Sequence, residues 1–286
     1  MFMKIGILLP YKENFSPEYP GAVSLFVNAT TKISKYKKKI IIFGNTDYKK
    51  KFKLRYINID LKKKFLSSQT RNYVSKFLLI QKKYNFSIIE VHNRPSYINQ
   101  LSKSLKKTVL SLYFHNDPLS MDGSKTVEER KKLLKRCYKI IFNSNWSKKR
   151  FLEGLENKFV NSNKLVVFYQ SANKKNISIL NKKRNWITFV GKLNKAKGYD
   201  VFASSIKKVL NKYPTWRAKV IGDEKREKIS IKHKNVDLLG FLGHEKVLKI
   251  FEQSSIAVAC SRWEEPFGRT SLEASANGCA VIITNK

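Results

Sequence analysis

The sequence predicts an α/β protein built from two doubly wound parallel-sheet domains. Apolar segments of strand length alternate with amphipathic segments of helix length through the first two thirds of the chain, and the alternation resumes after a polar, lysine-rich stretch. Such alternation is typical of parallel strands joined by crossover helices. The 286 residues are enough for two separate cores. No apolar run reaches the roughly 18 residues that a membrane-spanning helix needs.

The first domain is predicted to cover 1–170. Its first strand, 4–9, is followed by a loop, 10–21, that contains three prolines and a glycine. Long loops at this point indicate a functional role. Thr126 and Glu129 have the spacing of a capping box at a helix start. The other predicted strands cover 39–43, 53–59, 87–92, 108–114, 139–142 and 164–168, and the helices cover 22–34, 67–84, 126–136 and 145–155.

A polar segment, 171–185, is predicted to link this domain to a second one at 186–286. The last predicted strand, 280–283, lies next to the final residue, Lys286. So few strands would leave one side of the second sheet uncovered, which predicts an incomplete second domain in a C-terminally truncated chain. Gly278 has the position of a helix C-cap. The remaining predicted strands cover 186–190, 216–221, 236–239 and 256–260, and the helices cover 198–210, 244–253 and 269–277.

The formal net charge of +37 has two interpretations. Lysines are spread along the whole chain together with many asparagines and isoleucines, a composition that an AT-rich genome produces whatever the function. The charge alone therefore does not indicate nucleic-acid binding. It does predict a surface that attracts nucleotide phosphates, acidic glycolipids or the cytoplasmic face of a membrane.

The N-terminal segment and the cysteines both predict a cytoplasmic location. The apolar core of 1–10 is too short for a signal peptide, lacks a basic leader and ends at Pro10. Cys137, Cys260 and Cys279 lack the paired spacing of a metal cluster and fit a reducing compartment.

The stretch 256–277 predicts a binding site for a phosphate flanked by hydroxyls. An apolar strand leads through a loop with Pro266 and Gly268 into a helix, whose first N–H groups and dipole favour an anion. Glu265 and Glu273 flank this point with seven residues between them. Carboxylates are strong acceptors for hydroxyl groups. The combination predicts a sugar nucleotide as the ligand.

A second loop of this kind lies at 190–198, where Lys192 and Lys197 are placed to converge on a phosphate. The alternative is an ordinary strand–helix loop with solvated lysines. The sequence contains no Asp-x-Asp motif, so we expect neither a metal nor another cofactor at the diphosphate.

These motifs together resemble the GT-B-fold family 4 glycosyltransferases, also called glycosyl transferases group 1. The resemblance rests on Gly191-Lys192 followed by Lys197-Gly198, and then on Glu265-x7-Glu273 enclosing Pro266-Phe267-Gly268. It covers most of the chain. It implies two Rossmann-like domains facing a cleft and retaining transfer from a nucleotide-diphosphate sugar.

The resemblance also implies roles for the residues of the second domain. Glu265 would hold hydroxyls of the donor sugar, and Glu273 would accept hydrogen bonds from the ribose. Lys192, where the family usually has arginine, and Lys197 would stabilise the charge of the leaving diphosphate. The backbone N–H groups expected near the sugar and phosphates are those of Phe267, Gly268 and Arg269.

The first domain contributes polar residues just after two strand ends, where ligands of open α/β sheets bind. His92 and His115 each follow a predicted strand. The resemblance places His115 beside the reacting sugar and Gly21 near the donor phosphates. Arg94 is expected to meet an anionic acceptor, while Asp117 either contacts the acceptor or begins an Asp-Pro turn.

The sequence therefore predicts a metal-independent, retaining hexosyltransferase-type enzyme with His115, Lys197 and Glu265 as catalytic residues. Its acceptor is expected to be a glycan or glycolipid of cell-envelope or lipopolysaccharide biosynthesis, bound with help from His92, Arg94 and Asp117. Peripheral contact with an anionic membrane is expected, and nucleic acid is not an expected partner. Two alternatives remain: a basic nucleic-acid-binding α/β protein, whose affinity would fall steeply with salt, and an inactive fragment of a transferase.

Overall fold

The computed structural model describes residues 3–61, 68–172 and 183–285. The chain divides into two compact units, Met1–Tyr169 and Gln170–Lys286. Most of the predicted linker, residues 173–182, lies outside the described residues. Within the three described ranges, no helix is long and apolar enough to cross a membrane.

The first unit alternates strands and helices along its length. The strand order across its sheet follows the chain only in part, and every strand pairs with its neighbours in parallel. In chain order the elements are β1 (Ile5–Leu8), α1 (Ala22–Ile33), β2 (Ile40–Gly44), β3 (Tyr56–Asn58), α2 (Gln69–Gln81), β4 (Ile88–His92), α3 (Ser96–Ser104), β5 (Val109–Phe114), α4 (Val127–Arg136), β6 (Lys139–Phe142), α5 (Asn145–Leu152) and β7 (Leu165–Val167).

Helices cover both faces of this sheet. Every residue of β2 is buried, as expected for a parallel strand enclosed on both sides. Because side chains alternate between faces along a strand, Ile42 packs in one apolar cluster with Phe26 of α1. Phe43 packs on the opposite face, where its ring lies 4.9 Å from that of Phe77 in α2. The strand order is β3-β2-β1-β4-β5-β6-β7 over the described residues, so it changes direction at β1.

The second unit has the same design with fewer strands. Its core is formed around aromatic residues, with the ring of Phe189 5.3 Å from Tyr199 and 5.1 Å from Phe202. The elements are β8 (Arg184–Val190), α6 (Tyr199–Lys212), β9 (Arg217–Ile221), β10 (Val236–Leu238), α7 (His244–Gln253), β11 (Ser254–Ala259), α8 (Arg269–Ala276) and β12 (Ala280–Ile283).

The described strands of the second unit also form one parallel sheet, in the order β10-β9-β8-β11-β12. The order changes direction at β8, whose neighbours are β9 and β11. Ligands of open α/β sheets bind at the carboxyl ends of the strands beside such a change. The loops that follow β8 and β11 are therefore the expected binding loops of this unit.

The predicted fold class, two α/β domains with parallel sheets, is confirmed. Two local predictions are also confirmed: Thr126 and Glu129 form the capping box of α4, and Gly278 follows α8 with a φ of 76°. Helix α3 has no counterpart among the predicted helices, because its nine residues are mostly polar. Strand β3 is shorter than the predicted 53–59 and lies at the edge of its sheet. Incompleteness of the second domain stays a prediction.

Candidate functional site

The loops after β8 and β11 are held side by side by main-chain contacts. Gly198 has a φ of 68°, and a side chain there would collide with the carbonyl oxygen of Cys260. The N–H groups of Arg262 and Trp263 both donate to the carbonyl oxygen of Ala196, at 3.0 and 3.1 Å. The close approach requires glycine at position 198 and brings the two predicted binding loops together.

This approach places Lys197 against Glu265. The Lys197 Nζ forms an ion pair with Glu265 Oε1, and both side chains are about one third exposed. Asn194, which is buried, positions the lysine loop by accepting a hydrogen bond from the Lys197 N–H at 3.0 Å. Its amide in turn donates to Glu224 at 3.0 Å. The two predicted catalytic residues of the second domain thus meet in the structure.

A cavity of about 210 Å³ lies beside this ion pair. It is bounded by the end of β8 on one side and by the start of α8 on the other. Because the residue before α8 is Gly268, no side-chain oxygen caps the first N–H groups of that helix. Such N–H groups favour an anion. The cavity residues that carry this chemistry include Gly191, Lys197, Glu265, Phe267, Gly268 and Ser271.

Glu273 lies within α8 and is held by two basic groups. It is 8% exposed, and its Oε1 accepts hydrogen bonds from His244 Nε2 at 2.9 Å and from Arg269 Nε at 2.7 Å. Burial raises the pKa of Glu273, but the hydrogen bond from His244 and the charge of Arg269 outweigh it. The pKa therefore lies below its ordinary value of 4.5. Glu273 is an ionised, rigidly held acceptor at neutral pH.

The second-unit residues of the predicted site fall into two groups. Lys192 is exposed and does not border the cavity, so the predicted convergence of two lysines is not seen in the structure. The Arg269 side chain is directed to Glu273. The residues that the structure does bring to the cavity are Lys197, Glu265, Phe267 and Gly268.

In the first unit, three polar side chains form a hydrogen-bonded row. His92 Nδ1 lies 2.8 Å from His115 Nε2, and His92 Nε2 lies 2.5 Å from Glu90 Oε1. Both histidines are buried, at 0% and 6% exposure. The ring of Tyr113 stacks on His115 at 4.5 Å, and the ring of Phe26 meets it edge-on at 5.1 Å. The two histidines predicted to share one sheet edge are in direct contact.

The sheet register brings this row together. His92 is paired with Tyr113 across β4 and β5. His115 follows Tyr113 by two residues, and it therefore lies beside His92. Asn93 fixes the turn: it has a φ of 53°, and its Oδ1 accepts hydrogen bonds from the N–H groups of His115 and Asn116, both at 3.2 Å.

Gly21 contacts a carboxylate of the chain itself. Glu13 Oε1 accepts a hydrogen bond from the Ser24 N–H at 2.8 Å, in the first turn of α1, and a side chain at Gly21 would collide with this carboxylate. Burial raises the pKa of Glu13 despite the bonds from Ser24 and the nearby charge of Arg94. The glycine is explained by room for Glu13, whose carboxyl group already occupies the start of α1.

Asp117 and Arg94 have structural partners. Asp117 accepts a hydrogen bond from the Leu119 N–H at 3.0 Å and pairs with Arg150 at 3.2 Å, which is the arrangement of an Asp-Pro turn. Arg94 Nη1 donates to the Asn93 carbonyl oxygen at 2.7 Å. The structure thus gives Asp117 the second of its two predicted roles.

Sequence reasoning missed four residues that position this chemistry: Glu13, Glu90, Asn194 and His244. Glu90 has a local signal, because it precedes His92 by two residues and so lies on the same side of β4. His244 contacts Glu273 across 29 residues of chain, for which no local pattern exists. Within the described ranges, no three His, Cys, Asp or Glu side chains are arranged to hold a metal ion.

Comparison with known proteins gives matches over both units. Residues 170–286, which is the span of the second unit, match the family model Glycosyl transferases group 1. Spore coat protein SA of Bacillus subtilis is 21% identical over 316 aligned positions, which cover 99% of this chain and 81% of that protein.

Solved structures share the fold of the whole chain. The crystal structure of Anabaena Alr3699/HepE in complex with UDP-glucose has a TM-score of 0.71 at 15% identity, covering 99% of this chain and 81% of that one. A UDP-GlcNAc 2-epimerase from Neisseria meningitidis, bound to UDP-GlcNAc, has a TM-score of 0.62 at 12% identity, covering 99% and 82%. The fold is therefore the predicted GT-B fold, and the family match of residues 170–286 supports a glycosyltransferase.

Proposed function

We propose that this chain is a retaining hexosyltransferase that moves a sugar from a nucleotide-diphosphate donor to a hydroxyl of a glycan or glycolipid. The observation that carries the proposal is the contact between Lys197 and Glu265 beside a cavity at the start of α8. This contact lies inside the segment that matches the Glycosyl transferases group 1 model. A cation, a carboxylate and uncapped N–H groups are the set that a sugar diphosphate needs.

The residues of the second unit divide the donor between them. Lys197 and the first N–H groups of α8 bind the diphosphate, and Glu265 accepts hydrogen bonds from hydroxyls of the sugar. Glu273, ionised and held by His244 and Arg269, accepts hydrogen bonds from the ribose. Donor binding separates the Lys197–Glu265 pair, because each partner then has a group of the donor to contact.

In the proposed reaction, the bond between the anomeric carbon and the diphosphate oxygen breaks, and the leaving diphosphate keeps the electron pair. The acceptor oxygen bonds to the anomeric carbon on the same face, and its proton passes to the leaving diphosphate. Lys197 stabilises the charge that builds on the leaving group, which is the largest contribution a preorganised site makes.

The first unit serves the acceptor side of this proposal. His115 is its catalytic residue, and His92 and Arg94 are the residues that support acceptor binding. Asp117 and Gly21 are left out, because Asp117 is engaged with Leu119 and Arg150 while Gly21 adjoins Glu13. A metal-independent reaction in cell-envelope or lipopolysaccharide biosynthesis at the cytoplasmic side fits the +37 charge, which favours contact with anionic membrane lipids.

The test compares sugar transfer by the variants Lys197→Ala and Glu265→Gln with sugar transfer by variants of neighbouring residues that carry the same charge. We expect each variant to lose about 100-fold or more in kcat with UDP-glucose as the first donor tested. Because an exposed ion pair contributes only about 0–1 kcal/mol, both variants should stay folded by circular dichroism. Lys195→Ala and Glu264→Gln, which do not border the cavity, are the matched controls. Undiminished kcat in either site variant contradicts the assignment.

The fold is also compatible with epimerisation of the sugar nucleotide, as the Neisseria meningitidis protein illustrates. The family match of the second unit favours transfer. The two reactions are separated by incubating the donor without acceptor and following it by proton NMR. Without acceptor, an epimerase changes the sugar of the donor. A transferase instead releases its nucleotide diphosphate when acceptor is added, in proportion to the amount of acceptor.

A further inference from the structure

We propose that one edge of the first unit's sheet, the edge at which the strands begin, is a docking surface for an anionic lipid bilayer. This docking deepens the proposed function and rests on it only for the glycolipid acceptor, which such a bilayer holds. Exposed lysines at this edge form what we call the basic rim. They are Lys4, Lys35, Lys37, Lys38, Lys39, Lys82, Lys83, Lys106, Lys107 and Lys135.

The sheet topology brings these lysines to one edge. The described strands of the first unit are parallel, so each helix-to-strand connection ends where the next strand begins, at the same edge. The register aligns these starts, because Ile5 of β1 is paired with Ile40 of β2 and with Ile88 of β4. Ile88 is in turn paired with Val109 of β5. Since neighbouring strands lie about 4.8 Å apart, the rim extends about 14 Å from β2 to β5.

The connections along the rim contain lysines without neighbouring carboxylates. Residues 34–39, 82–87 and 105–108 lead into β2, β4 and β5, and each range contains at least two lysines and no Asp or Glu. The connection that leads into β7 is different, because it contains Glu153 and Glu156. The uniformly basic part of the edge therefore extends from β2 to the start of β6.

The acidic residues separate this pattern from the lysine-rich composition of the whole chain. Lys125 lies at the opposite edge of the sheet and pairs with Asp122 at 2.5 Å. Among the described residues, no rim lysine forms an ion pair with a carboxylate. Unpaired charge of one sign creates a potential that attracts an anionic surface. The acidic residues in segments that follow strand ends are Glu13, Glu18, Asp47, Asp60, Asp117 and Asp122.

Exposed apolar side chains among the lysines favour lipid as the partner. Ile33, the last residue of α1, is 86% exposed, and Tyr36 is exposed within the lysine run that follows. Tyr138, just before β6, is 62% exposed. The headgroup region of a bilayer accepts lysine, tyrosine and aliphatic side chains together, whereas a nucleic-acid backbone has no apolar region for an isoleucine. Stable attachment to a bilayer takes two signals, and the rim has both a basic cluster and apolar side chains.

The first test measures flotation of the full chain with vesicles and needs no turnover. At about 150 mM salt, we expect attachment to phosphatidylcholine vesicles that contain about 30% phosphatidylglycerol, and none to phosphatidylcholine alone. The combined variant K35Q/K37Q/K38Q/K39Q should bind at least about 30-fold more weakly, because each lysine near an anionic surface contributes about fivefold. These side chains are exposed, so the variant should stay folded by circular dichroism.

The matched control removes the same number of exposed lysines from the helices of the second unit, in the variant K207Q/K208Q/K246Q/K249Q. We expect this variant to float with the anionic vesicles as the wild type does. Equal losses in the two variants overturn the proposal, because attachment would then follow the total charge of the chain and not the rim. Attachment of the wild type to phosphatidylcholine alone overturns it as well.

The second test separates lipid from nucleic acid. Ile33→Ser should weaken attachment to the anionic vesicles about tenfold, because the isoleucine side chain then no longer enters the apolar boundary of the bilayer. Val201→Ser, at an exposed apolar residue of α6, is the control and should attach as the wild type does. Tighter binding to duplex DNA than to these vesicles at the same salt, unaffected by Ile33→Ser, assigns the rim to nucleic acid and overturns the proposal.

Failure of the docking proposal is distinguishable from failure of the proposed function. The rim lies at the opposite end of β4 from His92, so substitutions in the rim leave the histidine row in place. Attachment to vesicles without transfer to any acceptor contradicts the proposed function alone. Transfer to a water-soluble acceptor by a protein that does not attach to anionic vesicles contradicts the docking surface alone.

Discussion

Replacing Glu273 with glutamine tests whether the second unit is built around an ionised carboxylate. Glutamine keeps the size of the side chain and one carbonyl oxygen but removes the charge. In the structure this charge meets His244 Nε2 at 2.9 Å and Arg269 Nε at 2.7 Å. The substitution therefore weakens two hydrogen bonds without opening a cavity.

The magnitude follows from those two bonds. A hydrogen bond to a charged group contributes about 1.5–3 kcal/mol, against about 0.5–1.5 kcal/mol for a neutral one, so each bond loses about 1 kcal/mol. Burial of the charge is itself unfavourable, which offsets part of this loss. We expect the free energy of unfolding of the second unit to fall by about 1–2 kcal/mol. For a domain of this size that lowers Tm by about 4–8 °C.

The pH dependence has a definite sign. The folded-state pKa of Glu273 lies below its ordinary value of 4.5, so the stabilisation is present above about pH 4.5 and is lost as the pH falls through the folded-state pKa. Thermal melts from pH 7 downward should show the wild type and Glu273→Gln converging on acidification. Glu245→Gln, at an exposed glutamate beside His244, is the control and should follow the wild type throughout.

The same variant reports on the ligand. If Glu273 accepts hydrogen bonds from the ribose, calorimetric titration with UDP should show weaker binding, by about 10- to 100-fold, because a charged acceptor has become neutral. Unchanged stability at pH 7 would refute the reasoning about the buried charge. If Glu273→Gln loses stability as expected but binds UDP as tightly as the wild type does, the ribose assignment alone is refuted.

Four further outcomes are expected. Lys183→Met should lower the Tm of the second unit by several degrees, because Lys183 Nζ donates to the carbonyl oxygens of Phe251, at 3.0 Å, and Asn277, near the ends of α7 and α8. Glu13→Gln should raise the stability of the first unit at pH 7 in thermal melts, since burial raises the pKa of Glu13, and the gain should vanish once acidification protonates the wild-type carboxylate. EDTA should leave transfer unchanged, and DNA in thermal-shift assays should stabilise the protein less than UDP does at 150 mM salt; tight, Glu265-independent DNA binding would favour the alternative of a nucleic-acid-binding protein.

The parallel sheets could be predicted from the sequence because each apolar strand is recognisable from its own residues, without knowledge of the strands it pairs with. The uninterrupted apolar run of β2 predicts burial on both faces, and the structure buries all of it. Helix α3 left no such signal, because a short polar helix is stabilised mainly by what it packs on. Tyr97 and Ile98 are buried there only because the rest of the unit surrounds them.

The candidate site was predictable where its geometry is local. Glu265, Gly268 and Glu273 lie on one strand–loop–helix segment, so their spacing carries the information. Their partners arrive from elsewhere in the chain. The residues around His244 in the sequence do not predict its contact with Glu273. The contact of Glu13 with the start of α1 depends on a turn in a long loop. Lys192 shows the limit of such local spacing. It lies close to Lys197 in the sequence but does not border the cavity that Lys197 borders.

The main-chain contacts between the loops after β8 and β11 determine how this site tolerates change. The carbonyl of Ala196 and the N–H groups of Arg262 and Trp263 are present whatever the side chains are, so these positions accept most substitutions without loosening the pair of loops. Proline at 262 or 263 is an exception, since it removes a donor. A one-residue insertion in either loop shifts the register of all these contacts. Sequence libraries at positions 196, 262 and 263 should therefore vary residue type, apart from proline at 262 and 263, and keep loop length fixed, with Lys197, Gly198 and Glu265 retained.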